Sequence, residues 1–360
     1  MSVPYLSSVR TILVGLVAVA LSISARAHAA CGCPNDVNAD GTVGINDLLA
    51  VVGQWGPNPG STADVNGDGT VNIVDLLQSV GGWGTACPVP GVFPSSWIHG
   101  CTNCGNCLPT IQVHQYNENT YILRQSKCTN FEGPFMYLLF GQDKVLMQDT
   151  GAGGIPTLGS TVYGIINQWL AAHQQASIQL IVSHSHGHGD HIAGDSQFTG
   201  QPNTTVIGTS QTAVRTFFGI TTWPTQIVTY DLGGGRILDV IPIPGHQSAH
   251  IALYDRQSAL LLTGDTLYPG HLFISTWSDY RNSVQRLVNF TADKPVCWVL
   301  GTHIEMTSTP MVAYTYGTVY QPNEHVLQLT RAHLVELNDA CQAMGNTPVF
   351  QMHNDFFIEP

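Results

Sequence analysis

Four histidines and two aspartates crowd into IVSHSHGHGDHIAGD, Ile181 to Asp195. The run that leads into them, Ile178 to Ser183, is short, apolar and rich in branched side chains, the composition of a buried strand. The histidines begin where that strand ends, and Ile192-Ala193-Gly194 reads as the start of a helix. Open α/β sheets place their sites at the carboxyl ends of strands, on loops braced by the helix that follows. The pattern His-x-His-x-Asp-His fits one register, His186, His188, Asp190 and His191; a start at His184 would need an aspartate where His188 stands. His184 is therefore expected at a strand end or behind the site.

One cluster does not complete two metal sites, so further donors should arrive later in the chain. Three contexts offer them: His246 in PIPGHQSAH, Asp265 in LLLTGDTLY and His303 in WVLGTHIE. Each follows an apolar run, and a glycine lets the backbone turn just before the donor. Asp149 stands in the similar stretch VLMQDTG. Imidazole suits zinc and carboxylate suits a shared cation; no cysteine joins the set.

These motifs resemble the metallo-β-lactamase superfamily, over about Thr110 to Pro360. The resemblance implies an α/β fold, an αββα sandwich with metals at one edge between two sheets. Carried across by position, it implies His186, His188 and His246 on a first metal, Asp190, His191 and His303 on a second, and Asp265 as the bridge. Asp149 would support the metal-binding loop from behind. The implied cofactors are two Zn2+, with Mn or Fe as substitutes. Two ions roughly 3.5 to 4 Å apart lower the pKa of a shared water toward about 7. Asp190 is the expected catalytic residue, orienting that water or carrying its proton. Aspartate at 265 agrees with the glyoxalase II-like, lactonase-like and phosphodiesterase-like branches, whereas β-lactamases usually carry cysteine, serine or methionine there. An ester or lactone is the expected substrate. Other readings are a mononuclear iron oxidoreductase of the same fold, like the persulfide dioxygenases, or a noncatalytic binding module. His250, Tyr254, Tyr268 and His271 follow the donor segments and are read as packing or cleft-lining residues.

An internal repeat precedes this region. DVNADGTVGINDLLAVVGQWG (Asp36 to Gly56) recurs as DVNGDGTVNIVDLLQSVGGWG (Asp64 to Gly84), with six differences in 21 positions. The first copy places Asp36, Asn38, Asp40, Thr42 and Asp47 at loop positions 1, 3, 5, 7 and 12; the second places Asp64, Asn66, Asp68, Thr70 and Asp75, with Asn72 at position 9. Gly41 and Gly69 follow position 5, where the loop must turn sharply. That spacing wraps a hard cation needing 6 to 8 oxygens, and predicts two Ca2+. Leu48, Leu49, Val52 and Trp55, and then Leu76, Leu77, Val80 and Trp83, fall at helical spacing and are expected to pack as one core. The pair of loops resembles a dockerin module, a small all-α calcium-binding domain over residues 33–87, and the resemblance implies a cohesin-like partner. Aspartate at position 12 agrees with dockerins. Gly44 brings no side chain at position 9, and Ile45-Asn46 and Ile73-Val74 lack the hydroxyl pair of many cohesin-binding dockerins.

The remaining expectations concern destination and chemistry class. Arg10, an apolar stretch from Ile12 to Ile23, and Ala27-His28-Ala29 read as a cleaved signal peptide over residues 1–29, too short an apolar run to span a bilayer. An exported chain with no later membrane-inserting segment follows. Residues 88–109 read as a linker, PVPGVFP followed by CTNCGNC. In an exported chain nine cysteines point first to disulfides. Cys31 or Cys33 is expected to pair with Cys87, Cys128 to join the Cys101, Cys104 and Cys107 group, and Cys297 to remain unpaired. Net charge is -12 with 12 lysines and arginines, which excludes the basic stripe of a nucleic-acid binder and leaves a small-molecule substrate.

Overall fold

A computed structural model describes residues 33–360, so the leader expected over 1–29 and Cys31 lie outside the described residues. Contacts divide the chain into two compact units, one reaching to Val92 with Gln257–Ala259, the other formed by Phe93–Arg256 and Leu260–Pro360.

In the first unit each calcium-type loop runs into a helix, Ile45–Gly53 and Ile73–Gly81, and a two-residue ladder joins β1 (Gly56–Pro57) to β2 (Thr70–Val71). Disulfide Cys33–Cys87 closes its ends, as expected. The expected helical core is not what forms. The small core is Val37, Val51, Ala63 and Val71, while Leu49, Val52, Trp55, Leu77, Val80 and Trp83 are exposed. The cause is the loop itself. Asp47 and Asp75 must point inward to accept backbone N–H groups of their own loops, which fixes the rotation of each helix. The residue one turn on, Val51 or Ser79, is then buried, and the apolar stripe faces outward.

The second unit is built on two six-stranded sheets. The first has the order β3 (Ile111–Asn117), β4 (Thr120–Gln125), β5 (Phe135–Phe140), β6 (Lys144–Gln148), β7 (Gln179–Ser183), β8 (Thr204–Val206). The second contains β9 (Val228–Asp231), β10 (Ile237–Pro242), β11 (Ile251–Asp255), β12 (Leu260–Gly264), β14 (Trp298–Gly301) and β15 (Gln328–Leu329), in the order β15-β14-β12-β11-β10-β9. Alternation along the strands assigns the faces. Phe135, Tyr137, Leu139 and Ile181 enter one cluster with Leu238, Val240, Leu253, Leu262 and Leu300 of the other sheet. Their neighbours Met136, Leu138, Phe140, Leu180 and Val182 point the other way, against Val162, Ile165, Ile166 and Trp169 of helix Leu158–Ala172. Because both faces of this sheet are covered, its strands read as unbroken apolar runs. Helices Trp277–Phe290 and Arg331–Met344 each bury a stripe at helical spacing: Tyr280, Val284 and Leu287, and Leu334, Leu337 and Cys341. The architecture is the expected αββα sandwich. A short sheet of β13 (His271–Phe273), β17 (Phe357–Glu359) and β16 (Gln351–Met352) is added to it.

Topology puts the ligand loops on one rim. β6 and β7 are parallel, as are β12 and β14, and β10 shares the direction of β12 because each is antiparallel to β11. Phe135 N donates to Thr302 O across the sheets at this rim, 2.8 Å. At the opposite rim the buried Arg236 guanidinium grips Asp255 (2.6 Å), Thr120 Oγ1 (2.7 Å) and the Phe140 carbonyl (3.0 Å). A guanidinium taken from water is tolerable only with its donors satisfied, as here.

The cysteine assignment needs one correction. Cys101–Cys107 and Cys104–Cys128 are disulfides, but Cys297 is disulfide-bonded too, and the free thiol among the described residues is Cys341. A buried strand context does not distinguish a thiol from half of a disulfide. Cys341 lies on the inward stripe of its helix, where burial pushes its thiol up to about 12. Phe93 and Trp97, in the segment read as linker, pack against the core between the sheets.

Candidate metal centre

Four strand ends deliver the candidate donors and a fifth their support: the 184–191 loop follows β7, His246 follows β10, Asp265 follows β12, His303 follows β14, and Asp149 follows β6. Two groups result. His186 Nε2, His188 Nδ1 and His246 Nε2 form a triangle with edges of 2.9, 3.0 and 3.1 Å. Asp190, His191, Asp265 and His303 form the second group. Asp190 Oδ2 lies 3.1 Å from His191 Nε2 and 3.3 Å from His303 Nε2. Asp265 belongs to both groups. Its Oδ2 is 3.7 and 3.5 Å from His186 and His246 Nε2 and 3.3 Å from His191 Nε2, while Oδ1 is 3.4 Å from His303 Nε2.

Second nitrogens of the rings are tied back, which sets the tautomers. His246 Nδ1 donates to the Phe273 carbonyl (2.7 Å), His303 Nδ1 to the Glu132 carbonyl (3.2 Å) and His191 Nδ1 to Asp149 Oδ2 (3.0 Å). His186 Nδ1 meets Ser185 Oγ at 3.1 Å, and that hydroxyl donates onward to Asp149 Oδ2 at 2.8 Å. With Nδ1 engaged, each of these four rings faces the cluster with Nε2, the arrangement that orients metal-binding imidazoles. His191 Nε2 is buried and makes no well-aligned hydrogen bond, although Asp190 Oδ2 lies 3.1 Å away.

Asp149 is fully buried and holds a left-handed backbone, φ 67°. For a residue with a Cβ this costs about 1 to 2 kcal/mol. In return its carboxylate accepts from Ser185 N (2.7 Å), Ser185 Oγ and His191 Nδ1, so one side chain fixes the backbone and one donor of the loop. His184 stays outside the cluster: its Nε2 meets Asp195 Oδ1 at 2.8 Å, and the Thr150 hydroxyl donates to the same oxygen.

Charge divides the two groups. Burial pushes His186 and His188 below the usual imidazole range, with neighbouring rings adding to the effect, so both are neutral and ready to donate a lone pair. Burial acts the same way on His191 and His303, but Asp265, with Asp149 on the first and Asp190 on the second, lifts both well above that range. For Asp190 burial works toward a higher value, and bonds to His191 and His303 outweigh it and hold the carboxyl well below the carboxylate range. Without cations, then, protons must neutralise the second group.

The donor set fits two transition-metal ions. Nitrogens bonded to one zinc at about 2.0 to 2.1 Å in tetrahedral geometry lie roughly 3.3 Å apart. The triangle is near that size, and three ring nitrogens cannot all share protons with one another. One carboxylate reaching both groups is the donor a bridged pair requires.

All seven predicted donors thus converge, with Asp149 behind them. Sequence reasoning missed Ser185, inside the motif, and Thr302, whose hydroxyl bonds Asp265 Oδ1 and which precedes His303 in GTH. It also missed the Glu132 and Phe273 carbonyls, for which side-chain type offers no signal. His250 is buried with its ring 4.7 Å from that of His186, and the Tyr268 ring is 5.4 Å from that of His303. Tyr254 bonds the Pro295 carbonyl, and His271 pairs with Glu359.

The calcium-type loops repeat one geometry. Gly41 N and Gly69 N donate to Asp36 and Asp64 Oδ2, both at 2.8 Å, with the glycines at φ 89° and 88°. Asp36, Asp40 and Asp47 carboxylates converge, and Asn38 and Asn66 donate to Asp40 and Asp68 Oδ2. The Asn72 amide is engaged at both ends, accepting from Val74 N (2.7 Å) and donating to the Thr70 carbonyl (2.9 Å).

Comparison with known proteins agrees with both units. Residues 34–78 match the family model of the dockerin type I domain and residues 129–303 that of the metallo-beta-lactamase superfamily. A hydroxyacylglutathione hydrolase of Pectobacterium atrosepticum is 32% identical over 131 residues, 35% of this chain and 50% of that protein. Another, of Methylococcus capsulatus, is 29% identical over 156 residues, 42% and 59% of the two chains. The chain therefore spans about half the length of the curated relatives it matches. A solved metallo-beta-lactamase from Pontibacter korlensis aligns at 16% identity and TM-score 0.43, over 64% of this chain and 99% of that one. Residues 129–303 belong to the metallo-beta-lactamase superfamily, and residues 34–78 ahead of them to the dockerin type I family.

Proposed function

We propose that this protein is an exported dinuclear metal hydrolase, using two zinc ions to cleave a carboxylic ester or lactone, and is tethered through its calcium-binding module. The observation that carries the reading is Asp265, one carboxylate within 3.7 Å of donors from both groups. His186, His188 and His246 would hold one ion, Asp190, His191 and His303 the other. When bound, such a pair acidifies water toward a pKa of about 7 and polarises an acyl oxygen. The rest is done by the chain. Ser185 and Asp149 hold the imidazoles in register, and Thr302 fixes Asp265. Asp190 keeps part of its side chain accessible, 22% against 8% for Asp265, so its carboxylate would orient the attacking water and take its proton. Water oxygen bonds to the acyl carbon, the carbon–oxygen bond to the alcohol breaks, and the proton leaves with the alcohol.

Matches to hydroxyacylglutathione hydrolases support acyl hydrolysis as the reaction class, and export, supported by the disulfides, disfavours glutathione thioesters as substrates. No helix among the described residues is long and apolar enough to cross a membrane. Two Ca2+ in the loops at 36–47 and 64–75 would order the module. Its outward stripe, with Leu49, Trp55, Leu77 and Trp83 all more than half exposed, suits a cohesin-like partner. The test is metal analysis of the purified chain beside an ester, lactone, β-lactam and phosphodiester screen, repeated on His186→Ala. About two transition-metal ions plus calcium are expected, with ester or lactone turnover lost in the variant. Calcium with no transition metal would overturn the reading.

A further inference from the structure

A cavity of about 350 Å³ lies one residue layer from the metal cluster. No metal donor lines it, but two of its wall residues hold donors from behind: the Glu132 carbonyl takes His303 Nδ1 and the Phe273 carbonyl takes His246 Nδ1. The cavity therefore flanks both metal groups and is large enough for a small organic substituent.

Its walls are aromatic. Phe131 and Tyr316 meet edge to face, ring centres 4.8 Å apart, and Phe357 meets the His271 ring at 5.0 Å. Phe273 and Tyr316 are 50% and 77% exposed, so aromatic faces continue to the mouth. Glu132 and Glu305 also line the cavity, and Glu305 is held in place by a bond from His271 N at 2.8 Å. The one lysine of the lining, Lys127, does not offset them freely. It is buried, and its ammonium turns into the chain, donating to the Phe131 carbonyl at 3.2 Å and the Glu132 carbonyl at 3.4 Å. Burial pushes that ammonium down to about 8, with Glu305 and Glu132 pulling the other way, so what removes it from the cavity is its bonding to the two carbonyls. His271 is already paired with Glu359 at 2.8 Å. Ring faces and carboxylates on one small concave surface, with the local cation occupied elsewhere, form an environment for a positive charge.

We propose that this cavity binds a cationic substituent of the substrate, a quaternary or primary ammonium group carried near the scissile ester. The proposal rests on the hydrolase reading for the word substrate and on the cavity alone for the cation. A quaternary ammonium would lie against Phe131, Tyr316 and Phe273, with Glu132 and Glu305 supplying counter-charge, while the acyl carbon reaches toward the metals.

Two measurements on the full metal-loaded chain separate these dependencies. In the first, phenyltrimethylammonium and its neutral isostere tert-butylbenzene are titrated against the protein and followed by calorimetry. The cation is expected to bind at least tenfold tighter, and Glu132→Gln and Glu305→Gln each to weaken it threefold or more. Equal binding of the two, or tighter binding of the neutral isostere, would overturn the proposal. In the second, kcat/KM is compared for a choline ester and its uncharged 3,3-dimethylbutyl isostere. The charged ester is expected to be favoured about tenfold through KM, with the ratio falling toward one in Glu132→Gln. Turnover of both esters with no preference sinks the cation site and leaves the hydrolase standing. Cation binding without turnover of either ester, or of any substrate in the broader screen, sinks the hydrolase and leaves the site.

Discussion

In the calcium-type module the candidate donors of one site lie within a single loop, Asp36 to Asp47, whereas those of the metal centre run from His186 to His303 and meet because strand ends share one rim. The short-range site is shaped by its own backbone: Asp36, Asp47, Asp64 and Asp75 are satisfied by N–H groups a few residues away. Besides the Cys33–Cys87 disulfide, that unit rests on a core of four small or medium apolar side chains. The long-range site rests on a core that fills both faces of a six-stranded sheet. Ions should therefore build the first unit, and only occupy the second.

The largest test removes the shared donor. Asp265→Ala is expected to lower kcat/KM on the best ester by at least about a thousandfold, roughly 4 kcal/mol of transition-state stabilisation. Metal content should fall by at least one ion, with the thermal midpoint of the second unit moving by only a few degrees. A variant that keeps both ions and activity would show that the two groups are not joined through this residue. Calcium removal tests the other side. A ligand present at a thousand times its Kd stabilises the folded state by about 4 kcal/mol. A calcium-selective chelator should abolish the helical hydrogen-exchange protection of residues 45–53 and 73–81 and leave the sandwich amides unchanged. Loss of protection in both units would erase the contrast.

The two regions also differ in how much of them a reader of the sequence recovers. The sandwich and the convergence of seven candidate donors were legible, because apolar runs followed by glycine and a polar side chain carry both strand and site in one pattern. Asp149 was legible as a support, although its left-handed backbone was not. The module's loops were legible and its packing was not. Helical spacing identifies a stripe but not the direction it faces, and the inward pull of Asp47 and Asp75 decided that. Carbonyl supports such as Glu132 and Phe273 leave no trace in side-chain type, and the unpaired cysteine was misplaced because burial is common to thiol and disulfide.

Asp149→Asn asks how far the rim site depends on residues that touch no ion. The substitution keeps size but turns one oxygen into a donor facing Ser185 and His191, which already donate. His191 would then lose the bond that holds its tautomer, and supports of this kind are worth about 10- to 100-fold in metal affinity. Competition with a chromogenic chelator should show a loss in that range. The two groups should not be hurt alike: His191 of the second bonds Asp149 directly, whereas His186 of the first is reached only through the Ser185 hydroxyl, so one ion of the pair should weaken before the other. Equal weakening of both would mean that Asp149 acts chiefly through Ser185.

The smallest effect separates the two calcium-type loops from each other. Position 9 is Gly44 in the first and Asn72 in the second, and helix Ile73–Gly81 alone receives a side-chain cap at its start. Both ends of the Asn72 amide are spent on Val74 N and the Thr70 carbonyl, so it serves the helix more directly than the ion. Asn72→Ala should therefore cost about 1 kcal/mol in the calcium-saturated module, as loss of a cap does. Calcium affinity of the second loop should change less than threefold. Denaturant unfolding at saturating calcium reads the first quantity and isothermal titration the second. A tenfold loss of affinity would instead make Asn72 a ligand, directly or through water, and the two loops would then differ in their coordination as well as in their helices.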